Sequence, residues 1–378
     1  AAGAGVIVSQ FIGAQNKKGI HESVHTALAI ALILGVVLTV LGITLSPQIL
    51  RWMGTPDEVM PQSVIYLRLY FAGLLFSVLY NMASGILNAV GNSKRSLLYL
   101  AIASFTNIVL DLLFIPVLKM GIAGAAIATD ISQVLSAVLC MLYLIRVDES
   151  YKVALRKIRI HKEVAVRIIQ VGVPTAIQNT VISFANVLVQ SSVNSYGALA
   201  MAGFAAYIKI DGFNILPVLS ISMAATTFAG QNIGARKPDR VRKGMYISTA
   251  MGAGYSVITG IVLLIFAPQV IGVFTTNHKV VEYGVYIMKY FCPFYWMLGI
   301  LHVLGGTIRG TGKTMQAMIV FLVSLCGFRV MWIAGTMAWA KSLGHVMMCY
   351  PTSWLLGMLL MILYVWKGNW MVLRTEKI

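Results

Sequence analysis

The sequence has little charge for its length. Only 11% of its 378 residues are charged and 58% are hydrophobic, whereas soluble domains carry about 25% charged residues. This is too little charge to cover a water-exposed surface, so a soluble enzyme is excluded. The four cysteines form no paired spacing and glycine follows no repeat, which excludes a disulfide framework and a collagen-like chain. A polytopic, all-α membrane protein remains.

Acidic residues are scarcer still, at 12 against 29 lysines and arginines, for a net charge of +17.

Apolar runs of about 20 residues predict membrane spans, and an incomplete run occupies residues 1–15. The ten full spans are predicted at 22–46, 62–90, 97–117, 122–145, 167–193, 198–229, 244–270, 281–306, 315–338 and 344–366.

The basic residues fall unevenly between alternate loops. One side collects 21 of them and the other only four, with four more inside spans. Because cytoplasmic loops are enriched in lysine and arginine, the richer side is predicted to be cytoplasmic. The positive charge then requires no nucleic-acid partner. We expect a multi-pass protein of the plasma (inner) membrane with its linker and C-terminus in the cytoplasm.

The sequence repeats itself at a spacing of about 221 residues. The matched pairs are Gln10 with Gln231, Gly13 with Gly234, Pro47 with Pro268 and, after a one-residue slip, Tyr66 with Tyr286 and Gly85 with Gly305, followed by Gly91 with Gly312 at the original spacing. Each repeat holds six helices, an even number, so both share one orientation in the membrane, a known transporter plan. In this frame we expect the first helix and about half of the second to be missing from the start of the chain.

The repeat also predicts the domain boundaries. We assign 1–147 to a truncated N-terminal lobe, 148–165 to a basic cytoplasmic linker, 166–366 to a C-terminal lobe and 367–378 to a cytoplasmic tail. The linker has amphipathic character, which suits either an ordinary solvated loop or contact with lipid.

Motifs in both halves resemble those of the MATE (multidrug and toxic compound extrusion) family, particularly its bacterial members. They are Gln10–Ala14, Tyr80–Asn81, Asn107–Asp111, Gly121–Thr129, Gly172–Pro174, Phe228–Ala235 and Arg309–Gly312. The resemblance implies two six-helix lobes around a V-shaped cavity. It further implies export of drugs or organic cations in exchange for Na⁺ or H⁺, by a monomer without a cofactor other than the coupling ion.

The resemblance also implies a cation site. Asn107, Asp111 and Thr129 match three ligands of the family's N-lobe site, and the fourth would lie in the segment missing before Ala1. Asp111 stands out on physical grounds too, because it lies 16 residues past Arg95, about 24 Å along a helix. A charge at membrane depth is costly and usually functional. A structural, hydrogen-bonded aspartate is the alternative.

Asn107 lies four residues before Asp111 and therefore on the same helical face. An amide oxygen beside a carboxylate offers the hard ligands that suit Na⁺, and the same carboxylate can instead exchange a proton. Asp130, the residue after Thr129, either joins this site or faces elsewhere.

The second half holds further polar residues within predicted spans, which line a substrate cavity or lock helices together. They are Gln178, Asn179, Lys209, Asp211 and Arg329. Lys209 and Asp211 are two positions apart and point to different faces, so Arg329 is the expected partner of Asp211. Pro174 is expected to kink or unwind the helix that carries Gln178.

Two other functions compete. Four basic residues within spans (Arg68, Lys209, Lys289, Arg329), against three acids (Asp111, Asp130, Asp211), suit the anionic headgroup of a lipid-linked saccharide, so a flippase of related architecture is the main rival.

The remote rival is an intramembrane zinc metalloprotease. His21-Glu22-Ser-Val-His25 fits the H-E-x-x-H pattern, which places two zinc ligands and a general base on one helical face. This motif lies at the mouth of its helix, and we expect neither a structural metal nor an enzyme.

Overall fold

The computed structural model describes residues 1–339, 342–368 and 370–371, and most of the predicted tail at 367–378 lies outside these residues. Within them, every regular element is a helix. The α-helices are α1 Ala2–Gly13, α2 Lys17–Trp52, α3 Met60–Ala72, α4 Leu74–Ala89, α5 Ser93–Leu112, α6 Gly121–Arg146, α7 Lys162–Asn194, α8 Ala198–Gly234, α9 Pro238–Ile265, α10 Ala267–Gly272, α11 His278–Phe291, α12 Tyr295–Gly310, α13 Thr314–Phe321, α14 Phe328–Trp339, α15 Leu343–Met347 and α16 Cys349–Lys367.

The predicted membrane spans are confirmed. In the described part of the chain, nine helical segments are long and apolar enough to cross a membrane, and α3 with α4 makes a tenth if this bent pair is one span. Many apolar side chains on these helices are exposed, such as Val40 at 55% and Ile258 at 64%. A surface of this kind suits hydrocarbon rather than water.

Two of the helix breakers within the spans, Gly73 and Pro174, have different effects. Between α3 and α4 the chain bends by 40° at Gly73, whose amide bonds the Leu69 carbonyl at a long 3.4 Å. By contrast, α7 continues unbroken from Lys162 to Asn194 around Pro174, so of the two expected outcomes unwinding is wrong, while a kink stays a prediction. Proline removes only one backbone donor, and the following turns keep their own bonds.

The chain divides into two compact units, residues 1–169 and residue 170 onward. Between α6 and α7 the chain is non-helical except for a short 3₁₀ turn at Leu155–Lys157. The boundaries predicted from the repeat stay a prediction. Large buried side chains, including Phe204, Tyr207, Phe291 and Tyr295, form the core of the second unit.

The backbone repeats at the spacing found in the sequence. Gln15 and Arg236 both take positive φ, at 53° and 56°, and so do Gly91 and Gly312, at 86° and 88°. Each pair is 221 residues apart and closes the same turn between two helices. Glycine adopts this left-handed conformation without steric penalty, which explains its use at one of the two turns.

The equivalent of Gly85 is Gly306 rather than Gly305. Gly85 lies against Ala1, and Gly306 lies against Ser222, so both contacts are reproduced at a spacing of 221. The one-residue slip inferred from sequence therefore ends before this glycine. At Gly306 the missing side chain lets two helices approach closely.

Candidate functional site

Asn107 and Asp111 occupy the last two turns of α5. They are spaced by one helical turn and lie on one face. The Nδ2 atom of Asn107 and the Oδ1 atom of Asp111 are both buried, and neither has a hydrogen-bond partner in the described structure. Buried polar atoms nearly always find partners in native proteins, so an orphaned amide and carboxylate one turn apart indicate a site that a ligand completes.

The helix that packs against α5 supplies a second polar pair. Thr129 lies on α6, and its hydroxyl donates a hydrogen bond to the Ala125 carbonyl at 2.9 Å, which leaves the oxygen free to accept. Gln133 follows one turn later, and its buried Oε1 has no described partner. Sequence analysis missed Gln133, although its spacing of four residues from Thr129 was a usable signal.

These groups fit a hard cation or a proton. Asp111 contributes a carboxylate oxygen that no described group neutralises, and amide and hydroxyl oxygens are available on the same two helices. Hard cations prefer such oxygen ligands. Two residues after Asp111, α5 gives way to a π-helical turn at Leu113–Val117 that contains Pro116. Turns of this type often accompany functional sites.

Asp130 lies against the bend at Gly73, whereas Asn107 and Asp111 lie on α5. A Cβ added at Gly73 would overlap the Asp130 carboxylate, so this side chain lies against the bend between α3 and α4. Asp130 is half-buried. The structure thus places an acid of α6 beside the broken span, a contact that sequence alone left open.

Arg329 is the centre of a polar cluster in the second unit. It is only 3% exposed and joins α7, α14 and α16. Its Nε donates to Ser353 Oγ at 2.9 Å and its Nη1 to Asn186 Oδ1 at 3.0 Å. Its guanidinium also stacks over the Tyr350 ring, 4.2 Å from the ring centre.

Asp211 lies in the same cluster and is held by tyrosines. The Tyr207 hydroxyl donates to Asp211 Oδ1 at 3.2 Å and is 2.9 Å from the Tyr295 hydroxyl. Arg329 is close enough for its charge to act on Asp211, although the two form no direct ion pair among the described residues. The predicted pairing is therefore electrostatic, with tyrosines supplying the direct contacts.

Of the other polar residues predicted in the second unit, one is buried and two are exposed. Gln178 is 3% exposed and its Oε1 has no described partner, whereas its neighbour Asn179 is exposed. Lys209 is also exposed and lies over the Phe274 ring at 5.5 Å. Neither Asn179 nor Lys209 joins the cluster around Arg329.

The zinc motif at the start of α2 is not a metal site. His25 uses both ring nitrogens within the chain: Nδ1 donates to the His21 carbonyl at 2.7 Å, and Nε2 accepts from the Ala154 amide at 3.0 Å. Glu22 pairs with Lys18 at 3.9 Å. In the part of the chain that the structure describes, no three His, Cys, Asp or Glu side chains could hold a metal. The metalloprotease alternative is wrong, because both ring nitrogens of His25, one of the two zinc ligands that it requires, are occupied.

Comparison of the sequence with known protein families finds a match to one family. The sequence profile of the MatE family matches residues 1–113 and 174–333, a range that contains Asn107 and Asp111 but not Thr129. The chain is 31% identical over 373 residues to the probable multidrug resistance protein YpnP of Bacillus subtilis, covering 98% of this chain and 83% of YpnP. It is 28% identical over 338 residues to the probable multidrug resistance protein NorM of Thermotoga maritima, covering 85% and 70%.

The fold matches solved transporters as well. A MOP superfamily transporter from Pyrococcus furiosus superposes with a TM-score of 0.89 over 97% of this chain and 82% of that one, at 24% identity. At this identity the likeness establishes the fold and leaves the choice of substrate open.

Proposed function

Because the chain belongs to the MatE family of multidrug efflux transporters, we propose that it exports lipophilic, mostly cationic compounds in exchange for Na⁺ or H⁺. It is a multi-pass membrane protein and a transporter rather than an enzyme. We place it in the plasma (inner) membrane as a monomer, with the loops rich in lysine and arginine in the cytoplasm.

The orphaned carboxylate of Asp111 is the observation that carries the proposal. An uncompensated charge inside a span costs several kcal/mol or more, and the described structure offers Asp111 Oδ1 no hydrogen bond. A bound Na⁺ or proton removes that penalty. Asn107 orients its amide toward the same face, and Thr129 and Gln133 supply oxygens from α6.

Exchange follows if the two ligands favour opposite states. A ligand that binds both states equally shifts neither, so the cation and the drug must each bind the two states with different affinities. Neutralising Asp111 removes the charge that resists burial, and this lets the N-terminal unit rearrange. The π-helical turn after Asp111 is a place where α5 can change its geometry.

The test is efflux of a cationic dye from vesicles that contain the full-length protein. We expect Asp111→Asn to lose cation-driven efflux, because the neutral amide mimics a permanently neutralised carboxylate. Asp57→Asn, which changes an exposed acid in the turn before α3, is the matched control and keeps wild-type efflux. Wild-type activity of Asp111→Asn would remove this residue from the mechanism.

The coupling ion is identified in the same vesicles. A Na⁺ gradient at fixed pH drives efflux if Na⁺ is the ion, and a pH gradient without Na⁺ drives it if the proton is. If neither the Na⁺ gradient nor the pH gradient drives efflux, cation exchange is refuted altogether.

The flippase alternative has weaker support. Arg329 is engaged by Ser353, Asn186 and Tyr350 within its own unit, and Lys209 is exposed and lies over the Phe274 ring. These cations are thus poorly placed to form one anionic headgroup site. Scrambling of a labelled lipid-linked saccharide in proteoliposomes, in the absence of dye efflux, would favour this alternative.

A further inference from the structure

The segment between α6 and α7 is attached to the start of α2 through two histidines. The Ala154 amide donates to His25 Nε2 at 3.0 Å. Further along, the His161 amide donates to Thr26 Oγ1 at 3.1 Å, and His161 Nδ1 lies 3.1 Å from the same hydroxyl. His25 and Thr26 are both fully buried. All of these contacts lie within the first unit.

Both imidazole rings are held in their neutral form by this geometry. The Nδ1 of His25 faces the His21 carbonyl and must carry the proton, so Nε2 must be bare to accept from Ala154. Similarly, Arg159 Nε donates to His161 Nε2 at 3.0 Å, which makes His161 Nδ1 the protonated nitrogen that faces Thr26. A second proton on either ring would set two donors against each other.

We propose that His25 forms a pH-sensitive latch, which holds Ala154 and the linker after Val153 on α2 when its ring is neutral and releases this stretch when the ring is protonated. The latch lies on the side that we propose to be cytoplasmic, so it responds to cytoplasmic acidification. It operates whether or not the proposed drug exchange is correct.

The charges around the latch come from both elements that form it. On α2, the His21 ring stacks on His25 with centroids 4.0 Å apart, and Glu22 is paired with Lys18. On the linker, Lys157 and His161 act electrostatically on His21, and Arg159 contacts His161. Because the neutral His25 ring accepts a hydrogen bond from the Ala154 amide and the protonated ring cannot, the latch opens as the pH falls.

Val153 anchors the linker independently of pH. Its side chain is 1% exposed and its amide donates to the Leu144 carbonyl at 2.8 Å. Release therefore concerns the stretch after Val153, and the backbone amide of Ala154 is the expected first reporter.

Hydrogen–deuterium exchange of a peptide covering 148–161 tests the latch, in the full-length protein and corrected for intrinsic exchange. In the wild type we expect protection to fall at least about tenfold between pH 7.5 and pH 5.5, since losing one such hydrogen bond is worth roughly a factor of ten. His25→Gln keeps an acceptor for Ala154 without a titratable ring, so its linker stays protected at both pH values. His278→Gln, an exposed histidine of the other unit, follows the wild type.

Thr26→Val is a second variant, which tests the attachment of the linker independently of His25. It removes the oxygen that His161 contacts, so the linker becomes exposed at both pH values while the peptides of α12 keep their protection. Wild-type protection that does not change between pH 7.5 and pH 5.5 overturns the latch. A His25→Gln protein that loses protection at acid pH as the wild type does also overturns it.

Discussion

Replacing Arg329 with methionine asks whether the cluster around it locks helices or lines a cavity. Methionine keeps the apolar part of the side chain but loses the hydrogen bonds to Ser353 and Asn186 and the stacking on Tyr350. It also removes a cation whose charge acts on Asp211, a half-buried carboxylate that stays beside two tyrosines. If the cluster is a lock, this substitution destabilises the second unit strongly.

The magnitude follows from the contacts. Each of two hydrogen bonds between membrane helices contributes about 0.6–1.7 kcal/mol, and a desolvated cation–π contact about 2 kcal/mol. Removing one partner from a buried charged cluster typically costs about 3–5 kcal/mol, which agrees with that total. Lys209→Met is the matched control, since Lys209 is exposed and makes one ring contact, and we expect it to lose about 1 kcal/mol or less.

The assay is equilibrium unfolding in mixed micelles, with the free energy of unfolding compared for the two variants. The double variant Arg329→Met/Asp211→Asn should recover part of the loss, because the acid left without compensation becomes neutral. If Arg329→Met is as stable as Lys209→Met while the dye concentration at half-maximal efflux changes, the cluster lines a cavity and the locking argument is wrong.

Two further substitutions test packing and the cation site. Gly306→Ala places a Cβ onto the Ser222 carbonyl. We therefore expect it to force α8 and α12 apart and to lower the free energy of unfolding by about 1–3 kcal/mol. The control is Gly254→Ala, whose Cβ meets open space and whose free energy of unfolding should stay within about 0.5 kcal/mol of the wild type. Equal stability of the two would contradict the close contact. Gln133→Leu removes an orphaned amide, and should therefore leave the unfolding temperature unchanged but raise the ion concentration needed for half-maximal efflux; unchanged ion dependence would exclude Gln133 from the site.

Local rules were enough to find the α5 half of the candidate site. Asn107 and Asp111 are one helical turn apart, so their shared face follows from the helix itself. Hydrophobic length gave the spans for the same reason, because about 20 apolar residues match the thickness of the bilayer core. Pro174 shows the limit of such rules. Proline often breaks a helix, yet α7 continues through Pro174.

Contacts between distant segments needed the structure. The position of Asp130 against Gly73, the attachment of Ala154 to His25, and the partners of Arg329 all join residues far apart in the chain. The histidine motif is the clearest case, since its spacing predicts zinc ligands while its surroundings occupy the nitrogens.

The amino-acid sequence alone determined that this chain crosses the membrane repeatedly, that its halves repeat, and that three aspartates lie within its predicted spans. These properties depend on the length and period of apolar runs, which neighbouring residues fix. The tertiary structure decided which polar atoms are left without partners and which are satisfied. That depends on how each helix is rotated against the next, and the rotation is set by side-chain packing across segments far apart in the chain.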